Sequence, residues 1–123
     1  MIGRHIQYGQ EGEAIAARYL KRNGYKILER NYRNRIGEID IIAEEKGTLV
    51  FVEVKTRRND RFGNPKWAVT FRKQQKISMV ALSYLKELRM SNRKARFDVV
   101  TVTEDLKKPT VEIVRNAFEL AYK

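Results

Sequence analysis

The sequence contains no cysteine, a single histidine, two prolines and one tryptophan in 123 residues. Without cysteine, neither a disulfide framework nor a thiolate metal site can form. With His5 alone, a histidine general base is disfavoured and His-rich zinc ligation is excluded. No stretch approaches about 18 apolar residues, so no membrane-spanning helix and no membrane partner are expected. Met1 to Gln10 lacks the apolar run of a signal peptide, which predicts a cytoplasmic protein. There is no repeat, low-complexity tract or linker, and the length predicts one domain over residues 1–123.

What the chain does have is a core and a charge. Hydrophobic residues make up 42%, enough to bury a sizeable interior. The formal net charge is +11, from 26 Lys and Arg against 15 Asp and Glu. That charge is local. Lys55 to Arg96 holds 13 basic residues against Asp60 and Glu87, a net +11, and the remainder sums to zero. A solvated helix face and loops would account for some of it. Such asymmetry favours a polyanionic partner, nucleic acid before acidic membrane.

The apolar spacing predicts a first helix over Ile6–Asn23, stopped by Gly24. Its face of Ile6, Gly9, Ala16, Ala17 and Leu20 carries Glu13 at the centre, where burial demands a partner for the carboxylate. Lys26–Tyr32, Glu38–Ala43 and Thr48–Thr56 read as three strands of an antiparallel meander. After a polar loop over Arg57–Pro65, Thr70 caps a helix over Phe71–Leu88, with Ile77, Val80, Ala81, Tyr84, Leu85 and Leu88 as its stripe. Arg96–Thr103 and Thr110–Val114 are two further strands, and Asn116–Tyr122 a short terminal helix. A helix between the third and fourth strands allows a crossover. The predicted class is α/β, a mixed sheet flanked by helices.

The chemistry concentrates between Gly37 and Lys55. Strand alternation puts Glu53 and Lys55 on one face, with Val54 on the other, and sends Glu38 and Asp40 to a common face. A turn over Glu44–Gly47, centred between Glu45 and Lys46, sets Asp40 and Glu53 side by side if that centre moves by one residue. Adjacent carboxylates repel and raise each other's pKa unless a cation lies between them. A hard divalent ion, Mg²⁺ or Mn²⁺, would relieve that repulsion with oxygen ligands. Lys55 would then stabilise charge developing on a phosphate, and Glu13 would add a ligand, directly or through water. An E-x-K on a strand is by itself more often an exposed ion pair. The coincidence of Asp40, Glu53, Lys55 and Glu13 on a basic chain is what points to metal-assisted chemistry.

This Asp…Glu-x-Lys arrangement resembles the PD-(D/E)XK nuclease superfamily, whose core has the same αβββαβ order. Within it the chain resembles the bacterial YraN-like family of small proteins over nearly its whole length. The matching runs are Gly12–Leu20, Asn31–Arg33, Gly37–Ala43, Leu49–Arg57, Phe62–Pro65 and Arg96–Val100. The resemblance implies a restriction-endonuclease-like core, similar also to archaeal Holliday-junction resolvases. It implies metal-binding roles for Asp40 and Glu53, a catalytic role for Lys55, and the helix-one glutamate role for Glu13. The leading Pro of the motif has no equivalent, since Ile39 precedes Asp40.

Arg33, Arg35, Arg57, Arg58, Arg72, Lys73 and Lys76 are the candidate phosphate contacts, with Glu38 and Gln74 as subsidiary site residues. Phe62–Pro65 and Trp67 offer a loop for stacking on a base, though core packing is the favoured reading for Trp67. Asp98 reads as a structural partner for a neighbouring Arg. The expectation is a Mg²⁺- or Mn²⁺-dependent endonuclease on DNA, more than RNA, with branched or structured DNA as a candidate substrate. A two-fold homodimer would be needed to cut a junction symmetrically. The alternatives are a catalytically silent nucleic-acid-binding module with the nuclease fold, and an RNA- or ribosome-associated basic protein.

Overall fold

The computed structural model describes residues 2–57, 69–90, 92–104 and 108–120, with side chains from Glu11 onward. The elements run α1 (Ile2–Arg22), β1 (Lys26–Arg33), β2 (Glu38–Glu45), β3 (Thr48–Arg57), α2 (Phe71–Glu87), β4 (Ala95–Thr103) and β5 (Thr110–Phe118). Helix α1 begins four residues before the predicted start. It ends where predicted, with Gly24 at φ +90° and the Tyr25 amide donating back to the Leu20 carbonyl at 3.0 Å. Helix α2 is capped by Thr70, whose hydroxyl accepts from the Lys73 amide at 3.2 Å.

The strands form one sheet in the order β1-β2-β3-β4-β5. Every neighbouring pair is antiparallel except β3 and β4, which run parallel on either side of α2. A parallel pair needs such a crossover, and a helix supplies it. Helix α1 packs Ala16, Ala17 and Leu20 on Ile41, Val50, Val52 and Val100. Helix α2 packs Ile77, Val80, Ala81 and Tyr84 on the other face, against Ile39, Ile42, Phe51 and Val99. The middle strand is therefore apolar on both sides, and Leu49 to Val52 are all buried. The class is α/β, a five-stranded mixed sheet flanked by two helices, compatible with a restriction-endonuclease-like core. Among the described residues no helix is long and apolar enough to cross a membrane.

Two expectations are corrected. Asn116 to Phe118 continue β5 instead of opening a terminal helix, because Phe118 stacks on Phe97 with ring centroids 4.9 Å apart. Leu88 is exposed at the C-cap of α2 and does not extend its buried stripe.

Helix α1 lies close to β3 at one point. A Cβ added to Gly12 would stand 1.9 Å from Cγ2 of Thr56, a β-branched side chain with little freedom to yield. Gly12→Ala is therefore expected to push α1 off the sheet and cost roughly 1–3 kcal/mol, read as a lower urea midpoint. Because Glu13 is the next residue, the same variant displaces that carboxylate.

The turn end of β2 holds a partly buried ion network on the α1 side. Arg96 pairs with Glu45 and with Asp98 (Nε to Oδ1, 2.9 Å), and Arg115 pairs with Glu45 at 2.9 Å. The Tyr25 hydroxyl donates to Asp98 Oδ2 at 2.7 Å. The two arginines hold the Glu45 carboxyl down to about 2, against the cost of burial. A carboxyl with a depressed folded pKa stabilises above its unfolded value and loses that contribution as pH falls. Stability should therefore drop between about pH 4.5 and 2. Glu45→Gln should cost roughly 1–3 kcal/mol at neutral pH and flatten that drop, measured by urea unfolding across the window.

Candidate functional site

The backbone pairing of β2 with β3 runs from Glu45↔Thr48 to Ile41↔Val52 and stops there. One step further the same register sets Asp40 opposite Glu53. At that point the side chain of Asp40 takes over from the main chain, and its Oδ2 accepts from the Val54 amide at 2.8 Å. The strands part at Asp40, and the carboxylate is fixed in the gap.

A second irregularity faces the same point from β1. Arg30 pairs with Ile41 and Tyr32 with Ile39, leaving Asn31 across from Asp40 with φ +54°. Asparagine is among the few residues that adopt this left-handed conformation readily. Across from Asn31 the alternation of β2 breaks. Ile39 thus joins Ile42 on the α2 side, while Ile41 packs on the α1 side. The Asn31 side chain hydrogen-bonds the Glu13 carboxyl from α1. Asn31 is a site residue that sequence reasoning missed; an Asn within a strand run was the available signal.

Glu53 is 5% exposed, on the same strand face as half-buried Lys55. Burial first, then the charge of Asp40 and a hydrogen bond shared with it, push its carboxyl up to about 7 against the pull of Lys73 and Lys55. The Lys73 ammonium, from the first turn of α2, stands 3.4 Å from Glu53 Oε2. Glu13 is half-buried, and its pKa is raised by burial and then by the charge of Asp40, with Arg30 opposing. Two helices and two strands thus meet around three carboxylates.

These carboxylates do not form a closed cage. Among the described residues, no three His, Cys, Asp or Glu side chains stand together as a ready metal-ligand group. The direct pair is Asp40 and Glu53, and Glu13 faces Asn31 beside it. Two adjacent carboxylates, one buried enough to retain a proton near neutrality, are a donor set that fits a hard divalent cation. Asp40 and Glu53 are the residues that would hold it.

The candidate phosphate contacts fall into distinct groups. Arg33 pairs with Glu38 at 2.9 Å on the surface, so Glu38 is engaged there and not with Asp40. Lys73, expected on phosphate, is instead the counter-ion of Glu53. Gln74 donates through Nε2 to the Val69 carbonyl at 3.0 Å and steadies the start of α2. Arg57 donates to Thr103 Oγ1 at 3.2 Å, bracing β3 against β4. Arg35, Arg72 and Lys76 are exposed. Arg58, Phe62–Pro65 and Trp67 lie outside the described residues. Within the basic segment, Arg93 and Arg96 are consumed by Glu44, Glu45 and Asp98 at the far end of β2, so the +11 is not all contact surface.

A family model described as "Uncharacterised protein family UPF0102" matches residues 12–102. The chain belongs to the UPF0102 family. The match runs from Gly12 in α1 to Val102 in β4 and takes in Glu13, Asn31, Asp40, Glu53, Lys55 and Lys73. A UPF0102 protein of Desulfosudis oleivorans is 50% identical over 119 residues, covering 97% of this chain and 95% of its own. One from Geobacter metallireducens is 52% identical over 114 residues, covering 93% of each chain. Among solved structures, Pyrococcus furiosus SfsA in complex with Ca²⁺ aligns over 90% of this chain at 14% identity and a TM-score of 0.40. The chain spans 62% of that protein's length, a likeness too low to transfer any property.

Proposed function

We propose that this UPF0102 protein is a Mg²⁺- or Mn²⁺-dependent nuclease of the PD-(D/E)XK type that hydrolyses phosphodiester bonds in nucleic acid, DNA in preference to RNA. The observation that carries the reading is the Asp40–Glu53 pair with Lys55 on the same strand face. A buried carboxylate pair held at a break in a sheet costs stability, and the Val54 amide and Lys73 engage only one oxygen of each carboxylate. Such strain at one spot is the mark of a functional site.

A bound Mg²⁺ or Mn²⁺ supplies the charge neutralisation and Lewis acidity that in-line attack of water on a phosphodiester needs. Asp40 and Glu53 would hold the ion, and the Val54 amide fixes the orientation of Asp40. Lys55 stabilises negative charge as the bond from water oxygen to phosphorus forms and the bond to the leaving sugar oxygen breaks. Glu13, anchored by Asn31, holds a proton more readily than an ordinary carboxyl and steadies water beside Asp40. Exposed Arg35, Arg72 and Lys76 supply salt-sensitive contacts to the backbone.

The test is cleavage by purified protein with Mg²⁺ and Mn²⁺ across duplex, flap, single-stranded and four-way DNA and matching RNA. Metal-dependent cleavage lost in both Asp40→Ala and Lys55→Ala supports the reading. Inactivity on every substrate, or cleavage that survives both substitutions, contradicts it. The Lys73–Glu53 ion pair favours one rival, a silent binding module in which Lys73 permanently neutralises the acid. Calorimetry separates the two: the module would bind nucleic acid with salt-sensitive affinity and take up no Mn²⁺.

A further inference from the structure

Helix α2 has an outer face that its packing leaves bare. Phe71, Met79 and Leu82 are 60%, 42% and 37% exposed, and with Gln75 they fall at helical spacing along one stripe. Phe71 is the most exposed of the large hydrophobic side chains described. Residues two apart on a helix project about 160° apart, so Phe71 lies on the outer side of α2 while Lys73 reaches inward to Glu53 at 3.4 Å. The first turn contains Arg72 and Lys73 and no acidic residue, and exposed Lys76 and Lys86 continue the positive charge down the helix.

A solvent-exposed aromatic ring on a helix that also exposes Arg72, Lys76 and Lys86 matches a polyanion that carries flat apolar groups. A second copy of the chain would bring like charges face to face. A nucleotide offers both halves of the match, with phosphate for Arg72 and Lys76 and a base for the ring. A base inside an intact duplex keeps its faces covered by its neighbours, so a stacking platform on this face selects an unpaired one.

We infer that Phe71 is a specificity-determining residue which stacks on an unpaired base of nucleic acid held along the outer face of α2, so that the preferred ligand has single-stranded or unpaired nucleotides. This rests on the nucleic-acid-binding part of the proposed function and not on cleavage.

The experiment measures fluorescence anisotropy of a labelled oligothymidylate and of a duplex of equal length, without divalent metal, over a range of salt. Phe71→Ala should weaken oligothymidylate binding by roughly 5- to 100-fold, leave duplex binding within about two-fold, and keep the salt slope unchanged, because no phosphate contact is removed. Phe71→Tyr should restore single-strand affinity, which a role in packing alone would not predict. Equal affinity of wild type and Phe71→Ala for the single strand overturns the inference while leaving the nuclease reading intact. An equal loss on both ligands does the same. Wild-type protein that binds neither ligand overturns the nucleic-acid reading and this inference together.

Discussion

Replacing Lys55 by Ala is expected to lower the rate of the proposed phosphodiester cleavage by roughly 10²- to 10³-fold, the size expected when one charge-stabilising group is taken from a transition state. Nucleic-acid affinity changes much less, because exposed Arg35, Arg72 and Lys76 remain. Mn²⁺ affinity holds or rises slightly, since Lys55 pulls Glu53 toward its ionised form but also repels a cation beside it. The signature is a collapse in kcat with KM nearly intact, which marks an interaction made mainly in the transition state. A parallel fall in both metal binding and cleavage would instead make Lys55 a scaffold for the carboxylates. Single-turnover kinetics with excess protein make the distinction.

Glu53→Gln has the opposite pairing of effects: the protein becomes more stable and inert. Burial and the charge of Asp40 raise the folded pKa of Glu53 from 4.5 to about 7. A carboxyl raised in this way favours folding where it is protonated and weighs against it progressively as pH climbs from 4.5 to 7. Above pH 7 the penalty is complete, and the amide removes it. The expected gain there is about 1–3 kcal/mol, trimmed because Lys73 loses its partner, and appears as a rise of roughly 3–10 °C in melting temperature. Below pH 4.5 wild type and variant should melt together. On the proposed metal reading, Mn²⁺ uptake should be abolished by the same substitution, whereas in the wild type it should strengthen as pH rises through about 7 and the ion displaces the last proton. Loss of stability above pH 7 would show that Glu53 is a structural ion-pair partner of Lys73.

Strand chemistry made the carboxylate pair legible. The period of two fixes the face of Glu53 and Lys55, and the turn at Lys46–Gly47 fixes the register that leads to Asp40. The turn lies one residue beyond the position read from sequence, which moves Asp40 and Glu53 into direct opposition. Lys73 was legible only as a cation on a helix. Its contact with Glu53 depends on where α2 lands after the crossover, a tertiary fact with no local signature. Asn31 was hidden for a related reason, since an Asn within a strand run does not by itself announce a left-handed conformation or what lies across from it.

Charge arithmetic located the basic segment and misjudged its use. Counting cannot distinguish an arginine facing solvent from one facing Glu45 across the sheet. The tail of β5 illustrates a comparable ambiguity. Asn116 to Phe118 are short, mixed residues that suit a helix as well as a strand, and the ring of Phe97 decides the matter by stacking on Phe118. The regular core, in contrast, followed from sequence because each strand and helix there repeats its apolar period several times.

The most direct measurement is anomalous diffraction from crystals grown with Mn²⁺ above pH 7, where Glu53 has lost its proton. The account predicts one strong peak between the carboxylates of Asp40 and Glu53, with the Lys73 ammonium moved off Glu53. Density for Lys73 still on Glu53, with no peak at that position while Mn²⁺ is in excess, would contradict it.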